Sequence, residues 1–189
     1  MMGEDRPEFV LGTRIEIPKD DQMFTHDNMP AVILINPKFP RNVGTAVRGA
    51  SCYGAKTVIF TGARCLESVT MKTEKGWRLP REMRMNGYRD VAIFNDQYPF
   101  NRFPKDTVPV AIEVRDNSEW LPKFEHPKNA IYVFGPEDGS IPPVFLQHCH
   151  RFVMIPTKQC INLAVAVNTV LYERNRFFGV ITTEDIYSL

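Results

Sequence analysis

Three groups of polar residues stand where strand-like apolar runs give way to turns, and their types suit ligand chemistry. Asn42, Gly44 and Arg48 fall in NVGTAVR, just after the run AVILIN at 31–36. Glu137 lies in FGPEDGSI (134–141), and Asn162 in IPTKQCINLAVAVNTVLYER (155–174). In an open α/β sheet the turns at the carboxyl ends of strands bind small ligands. The second and third segments are close in sequence, so they point to one composite pocket. Arg48 follows Gly44 by one helical turn on the same face, and helical side chains lean toward the N-terminus. A guanidinium beside the free N–H groups of a helix start makes an anion site suited to a phosphate. Glu137 can orient that cation or face water. Asn162, at the head of a helical pattern, is placed to cap it.

The elements that must position these residues alternate between strand and helix. AVILIN is a continuous apolar run of strand length, as expected when both faces are covered. The helix read over 42–54 has Asn42 as a plausible N-cap, a stripe of Val43, Ala46, Val47 and Ala50, and Gly54 as its stop. KTVIFTG (56–62) completes a βαβ unit and hence a parallel sheet. Residues 63–107 are charged and weakly periodic, with helix in the 79–86 region and a Pro-, Asn- and Phe-rich loop at 95–107. Strands resume at 108–114, 129–135 and 151–156. A helix starts near Ser140, Pro142 and Pro143, and the longest helix spans 162–178. Residues 1–30 read as an N-terminal extension, with a short strand possible around 8–17, and 31–189 as the single main domain. The fold class is α/β, a parallel sheet with helices on both faces.

The totals narrow the function classes. A chain of 189 residues, 43% hydrophobic and 24% charged, is an ordinary globular domain with a sizeable core. Its net charge of +1 means that any nucleic-acid surface depends on local clustering. Cys52, Cys65, Cys149 and Cys160 are far apart with no C-x-x-C pair, which speaks against a zinc ribbon or disulfide framework and for a cytoplasmic protein with reduced thiols. No run is long and apolar enough for a membrane span, and the first residues lack the pattern of a secretory signal. The first βα turn, NPKFPRNVG, lacks G-x-G-x-x-G, and there is no Walker A loop.

Taken together, Asn42-x-Gly44-x-x-x-Arg48, FGPEDGSI and IPTKQCINLAVAV resemble the three motifs of the SpoU (TrmH-like) branch of the SPOUT methyltransferases, in family order and at family spacing over roughly residues 31–178. The resemblance implies an RNA 2′-O-ribose methyltransferase that uses S-adenosylmethionine. It also implies a C-terminal deep trefoil knot and a homodimer paired through helices near that knot. Under it, Arg48, Glu137, Asn162 and Asn42 form the RNA-facing catalytic set. Backbone at Ile112, Gly135, Ile155 and Cys160 holds the cofactor. The minimal size, without a separate N-terminal RNA-binding domain, resembles members that modify tRNA more than those that modify rRNA. Cys160 stands where serine is usual, and a thiol is a weak donor. A second reading is therefore an RNA-binding protein of the same fold that lacks catalysis.

Other signals carry less. Arg64, Lys72, Lys75, Arg78, Arg81, Arg84 and Arg89 lie among Trp77 and Tyr88, a composition that grips phosphates and stacks bases but also suits a solvated face. The run His148–Cys149–His150 has no further His/Cys cluster to complete a metal site, so no metal is expected. The helix NLAVAVNTVLYERNRFF is more apolar than one buried face requires, which fits contact with a second chain.

Overall fold

The structure is a computed structural model that describes residues 15–65, 71–73, 76–78 and 90–179, with backbone alone for 71–73 and 76–78. Its elements in chain order are β1 (Ile15–Glu16), β2 (Ala31–Leu34), α1 (Pro40–Cys52), β3 (Thr57–Phe60), β4 (Met71–Thr73), β5 (Gly76–Arg78), β6 (Ala92–Asn95), β7 (Val108–Ile112), β8 (Glu119–Trp120), β9 (Ala130–Phe134), α2 (Pro143–Leu146), β10 (Arg151–Met154) and α3 (Leu163–Phe178). Eight strands form one sheet in the order β1-β6-β3-β2-β9-β7-β10-β8, and every pairing in it is parallel. β4 and β5 make a separate antiparallel pair.

The continuous apolar runs occupy the middle of this sheet. Every residue of β2, β3 and β9 is buried, because both faces are covered. Val32, Leu34, Val58, Phe60, Tyr132 and Phe134 meet the inward stripes of α1 and α3. Their sequence neighbours Ala31, Ile33, Ile59, Ile131 and Val133 meet Phe24, Phe103, Ile141, Phe145 and Leu146 on the other side. Helices thus lie on both faces, but unequally. The two long ones share one face, and the second is covered by α2 and 3-10 turns at His26–Asn28 and Pro99–Arg102. Pro99 and Pro104 bracket the latter turn, and proline keeps such connections from extending into helix.

Several boundaries differ from the sequence reading. α1 starts at Pro40, with Phe39 at its N-cap position and no side-chain cap bond, so Asn42 is a buried first-turn residue rather than the cap. α2 starts after Pro142, not at a Ser140 cap. β6 was hidden in a stretch dominated by charge, and β8 is too short to show period-2 alternation. Within the stretch read as an extension, β1 pairs with β6, and Phe24 packs between Phe94 and Phe103 at centroid distances of 5.1 and 4.9 Å. The helix expected in 79–86 and most of the basic segment lie outside the described residues.

α1 and α3 approach closely at Gly49. A Cβ there would overlap the Asn168 side-chain amide, whose Nδ2 already donates to Ala164 O at 2.7 Å. Gly49→Ala is expected to lower stability by about 1–3 kcal/mol through overpacking, read as a lower urea midpoint at unchanged slope. α3 ends at Gly179, whose φ of 61° lies in the left-handed region that glycine enters without steric cost.

Candidate active site

The carboxyl ends of β7, β9 and β10 enclose a cavity of about 200 Å³. Ile112, Gly135, Ile155 and Cys160 all line it, as does Glu137. Phe134, Met154, Ile161, Leu163 and Ala166 make much of the remaining wall apolar, and the charged side chains in the wall are Glu113 and Glu137. The rim depends on the turn after β9. A Cβ at Gly135 would come within 3.2 Å of both Cγ1 and the backbone N of Ile141, so glycine lets the segment fold back closely on itself.

Glu137 joins this cavity to the start of α1. Its carboxylate accepts from Lys38 N at 2.7 Å, Phe39 N at 3.2 Å and Asn42 Nδ2 at 2.6 Å. Asn42 Oδ1 in turn accepts from Asn162 Nδ2 at 2.9 Å. Asn162 caps α3, its Oδ1 accepting from Ala164 N at 2.9 Å and Val165 N at 3.4 Å. Three residues far apart in sequence therefore form one polar relay, from the β2–α1 turn through the β9 turn to the head of α3. Neighbouring Asp138 braces the same turn with a bidentate pair to Arg64 at 3.1 and 2.8 Å. The first cation of the basic segment is thus engaged within the chain.

Burial alone would raise the Glu137 carboxyl, but hydrogen bonds from Lys38 N, the Asn42 side chain and Phe39 N outweigh it and hold its pKa below the usual carboxylate range. Because the folded value is the lower one, the stabilisation is complete above the unfolded glutamate value of about 4.3 and is lost as pH falls through the folded value. Urea midpoints measured from pH 6 to 3 should fall on the acid side, and Glu137→Gln should flatten that limb.

Arg48 is not part of the relay. It is exposed on α1 and, among the described residues, makes no hydrogen bond or ion pair. Since α1 begins at Pro40, Arg48 is more than two turns along it, about 12 Å of rise from the first residue. The helix-start anion site expected around Arg48 is therefore not assembled within one chain, and the amides of Lys38 and Phe39 are already occupied by Glu137. Cys160 is exposed at the cavity. Cys65 and Cys149 are buried thiols pushed up to about 12, chiefly by desolvation, and so are inert. His148 stacks on Phe100 at 4.7 Å, and no cluster of three potential metal ligands occurs among the described residues.

The profile of the SpoU rRNA Methylase family matches residues 29–172. The chain belongs to that family. It is thereby placed among RNA methyltransferases, and many solved structures share its fold. The A. aeolicus TrmH/SpoU tRNA modifying enzyme superposes with a TM-score of 0.64 at 17% identity, over 92% of this chain and 87% of the other. A structure described as giving insights into the 2-OH methylation of C/U34 on tRNA gives 0.63 at 22%, over 79% and 90%. The AdoMet-bound rRNA methyltransferase of Sinorhizobium meliloti gives 0.62 at 20%, over 88% and 60%. At these identities the likeness speaks for the fold. No curated protein matches in sequence. No described helix is long and apolar enough to cross a membrane.

Sequence reasoning missed Glu113 and the brace between Arg64 and Asp138. Glu113 had one available signal, a lone acid ending the apolar run VPVAI. The Arg64–Asp138 pair had none, because its partners are 74 residues apart.

Proposed function

We propose that this chain transfers a methyl group from S-adenosylmethionine to a ribose 2′-hydroxyl of RNA, with tRNA the better-fitting substrate. One observation carries the reading: the cavity and the polar relay meet at Glu137, so a small-molecule site and a nucleotide-facing cluster share a side chain. The cofactor's chemistry fits the wall. Ile112, Phe134, Met154 and Ile161 offer an apolar slot for a purine, and two carboxylates without a cation suit a ligand that carries sulfonium and ammonium groups. When bound, the cofactor supplies an electrophilic methyl group.

The chain's own residues supply position and charge. Backbone at Ile112, Gly135, Ile155 and Cys160 holds the cofactor. Glu137 fixes Asn42, which fixes Asn162 at the head of α3, so the nucleotide-facing amides are held before substrate arrives. Arg48 grips the RNA phosphate and favours the developing alkoxide by charge, since a guanidinium stays protonated and does not act as the base.

Two copies pair through α1 and α3. Val165 and Tyr172, 52% and 54% exposed, leave apolar surface outward on α3 in support of that pairing. The chain from β9 onward threads into the trefoil knot, a reading supported by membership of the SpoU family. Residues 31–189 act as the methyltransferase domain, in the cytoplasm. The lean to tRNA rests on size, because the chain spans 90% and 87% of the two tRNA-directed structures and 60% of the rRNA one.

Incubation with labelled cofactor and either total tRNA or rRNA, followed by mapping of the methylated ribose, tests the reading. Absence of label from both RNAs would overturn it. The exposed Cys160 thiol favours the second reading, an RNA binder without catalysis, only if a hydroxyl at that position is indispensable. Calorimetry with S-adenosylmethionine and its product decides this, since binding of neither would favour the non-enzymatic protein. Cys160→Ser is expected to change cofactor affinity by no more than about tenfold, the worth of one neutral hydrogen bond.

A further inference from the structure

Glu113 has a geometry that neither the motifs nor the polar relay accounts for. It follows the last residue of β7, and its own backbone is held at both ends. Its N–H donates to Val153 O at 3.0 Å on β10, and its carbonyl accepts from Ser118 Oγ at 2.7 Å. From this fixed base the side chain enters the cavity wall, and Oε2 accepts from the backbone N–H of Ile141 at 2.9 Å. Ile141 is the last residue of the turn that began at Gly135, and its side chain is buried in the core.

That turn is held at three points. Glu137 reaches toward the start of α1, Asp138 reaches to Arg64, and Glu113 reaches in from β7 to close the far end. The first two hold the turn by acids of its own. Glu113 is the one of the three that comes from another strand and also lines the cavity. Gly135, Pro136, Glu137 and Gly139 of the same turn form the cavity rim. Releasing Ile141 N would free the end of the rim that folds back on Gly135 so closely that a Cβ there would come within 3.2 Å of Ile141.

We propose that Glu113 is a positioning residue for the cofactor site, acting through Ile141 to hold the 135–141 rim in its binding shape. The proposal rests on the cofactor reading given above. A hydrogen bond from an amide to a charged acceptor is among the stronger ones, and it sits at the mouth of the site whose shape it sets. The acceptor oxygen is what the latch requires, so a glutamine, which keeps one acceptor, should preserve it.

The test uses the full chain and three variants of position 113. Affinity for S-adenosylmethionine and for its product is measured by calorimetry, and exchange of the Ile141 amide by NMR without cofactor. Glu113→Ala is expected to weaken both ligands about tenfold or more and to speed Ile141 exchange. Glu113→Gln should keep the amide protected and lose clearly less affinity than Glu113→Ala, since it gives up the charge but not the acceptor. Glu113→Leu separates loss of the acceptor from loss of side-chain volume and should behave as the alanine variant does. Parent-like affinity in Glu113→Ala would overturn the proposal, as would losses in Glu113→Gln equal to those in Glu113→Ala, which would point to charge rather than to the latch. If the parent protein binds neither ligand, the cofactor reading itself fails. Ile141 exchange then still decides whether the latch exists.

Discussion

Arg48→Ala is expected to lower methyl transfer to RNA by about 10²–10³-fold, the usual cost of removing one preorganised charge from a developing oxyanion, while leaving affinity for S-adenosylmethionine unchanged. The split follows from where the side chain lies. Arg48 does not line the cavity, so no cofactor contact is lost with it. It is exposed and, among the described residues, has no partner to abandon, so the fold should be unaffected. Arg48→Lys keeps a point charge but loses the planar fork, and should recover only part of the activity. Single-turnover methylation with labelled cofactor, alongside calorimetry, reads both halves. Unchanged transfer in Arg48→Ala would remove this residue from the mechanism, and lost cofactor binding would give it a different role.

Glu137→Ala should be the more damaging change to the site as a whole. It leaves Lys38 N, Phe39 N and Asn42 Nδ2 without their acceptor at once. Unpaired buried donors cost about 1–3 kcal/mol each, but this turn is half-buried and water can satisfy part of the set. A net loss of about 2–4 kcal/mol in unfolding free energy is the expected result. Activity should fall further than stability, by about 10²-fold or more, because Asn42 loses the contact that fixes the amide facing Asn162. Asn42→Ala and Glu137→Ala should be strongly non-additive, since both break the same relay. A double-mutant cycle with additive losses would show that the two act separately.

Much of this site was legible in the sequence, for identifiable reasons. Ile112, Gly135, Ile155 and Cys160 follow from the resemblance of the motifs to the SpoU family, and the structure brings all four to one cavity at the carboxyl ends of parallel strands. The apolar run within 31–36 reads as a strand covered on both faces, and β2 and β9 are indeed buried throughout at the middle of the sheet. Asn162 was readable as a cap from its place before an apolar helix, and it is one. Asn42 was misread for the same reason. Asn is a favoured cap residue, but Pro40 starts the helix two residues earlier, and the Asn42 side chain is drawn to Glu137 instead.

Local pattern thus determined the longer strands and helices and the turns at the ligand edge, but not β6 or β8, because period, caps and breakers act over a few residues. Only the tertiary structure decided the partners. Glu137 and Asn42 are 95 positions apart, Asn42 and Asn162 are 120 apart, and Glu113 reaches Ile141 across 28. Those bonds form because the sheet order sets β9 between β2 and β7, a pairing that no local signal encodes. Arg48, more than two turns along α1, stays outside that relay and exposed.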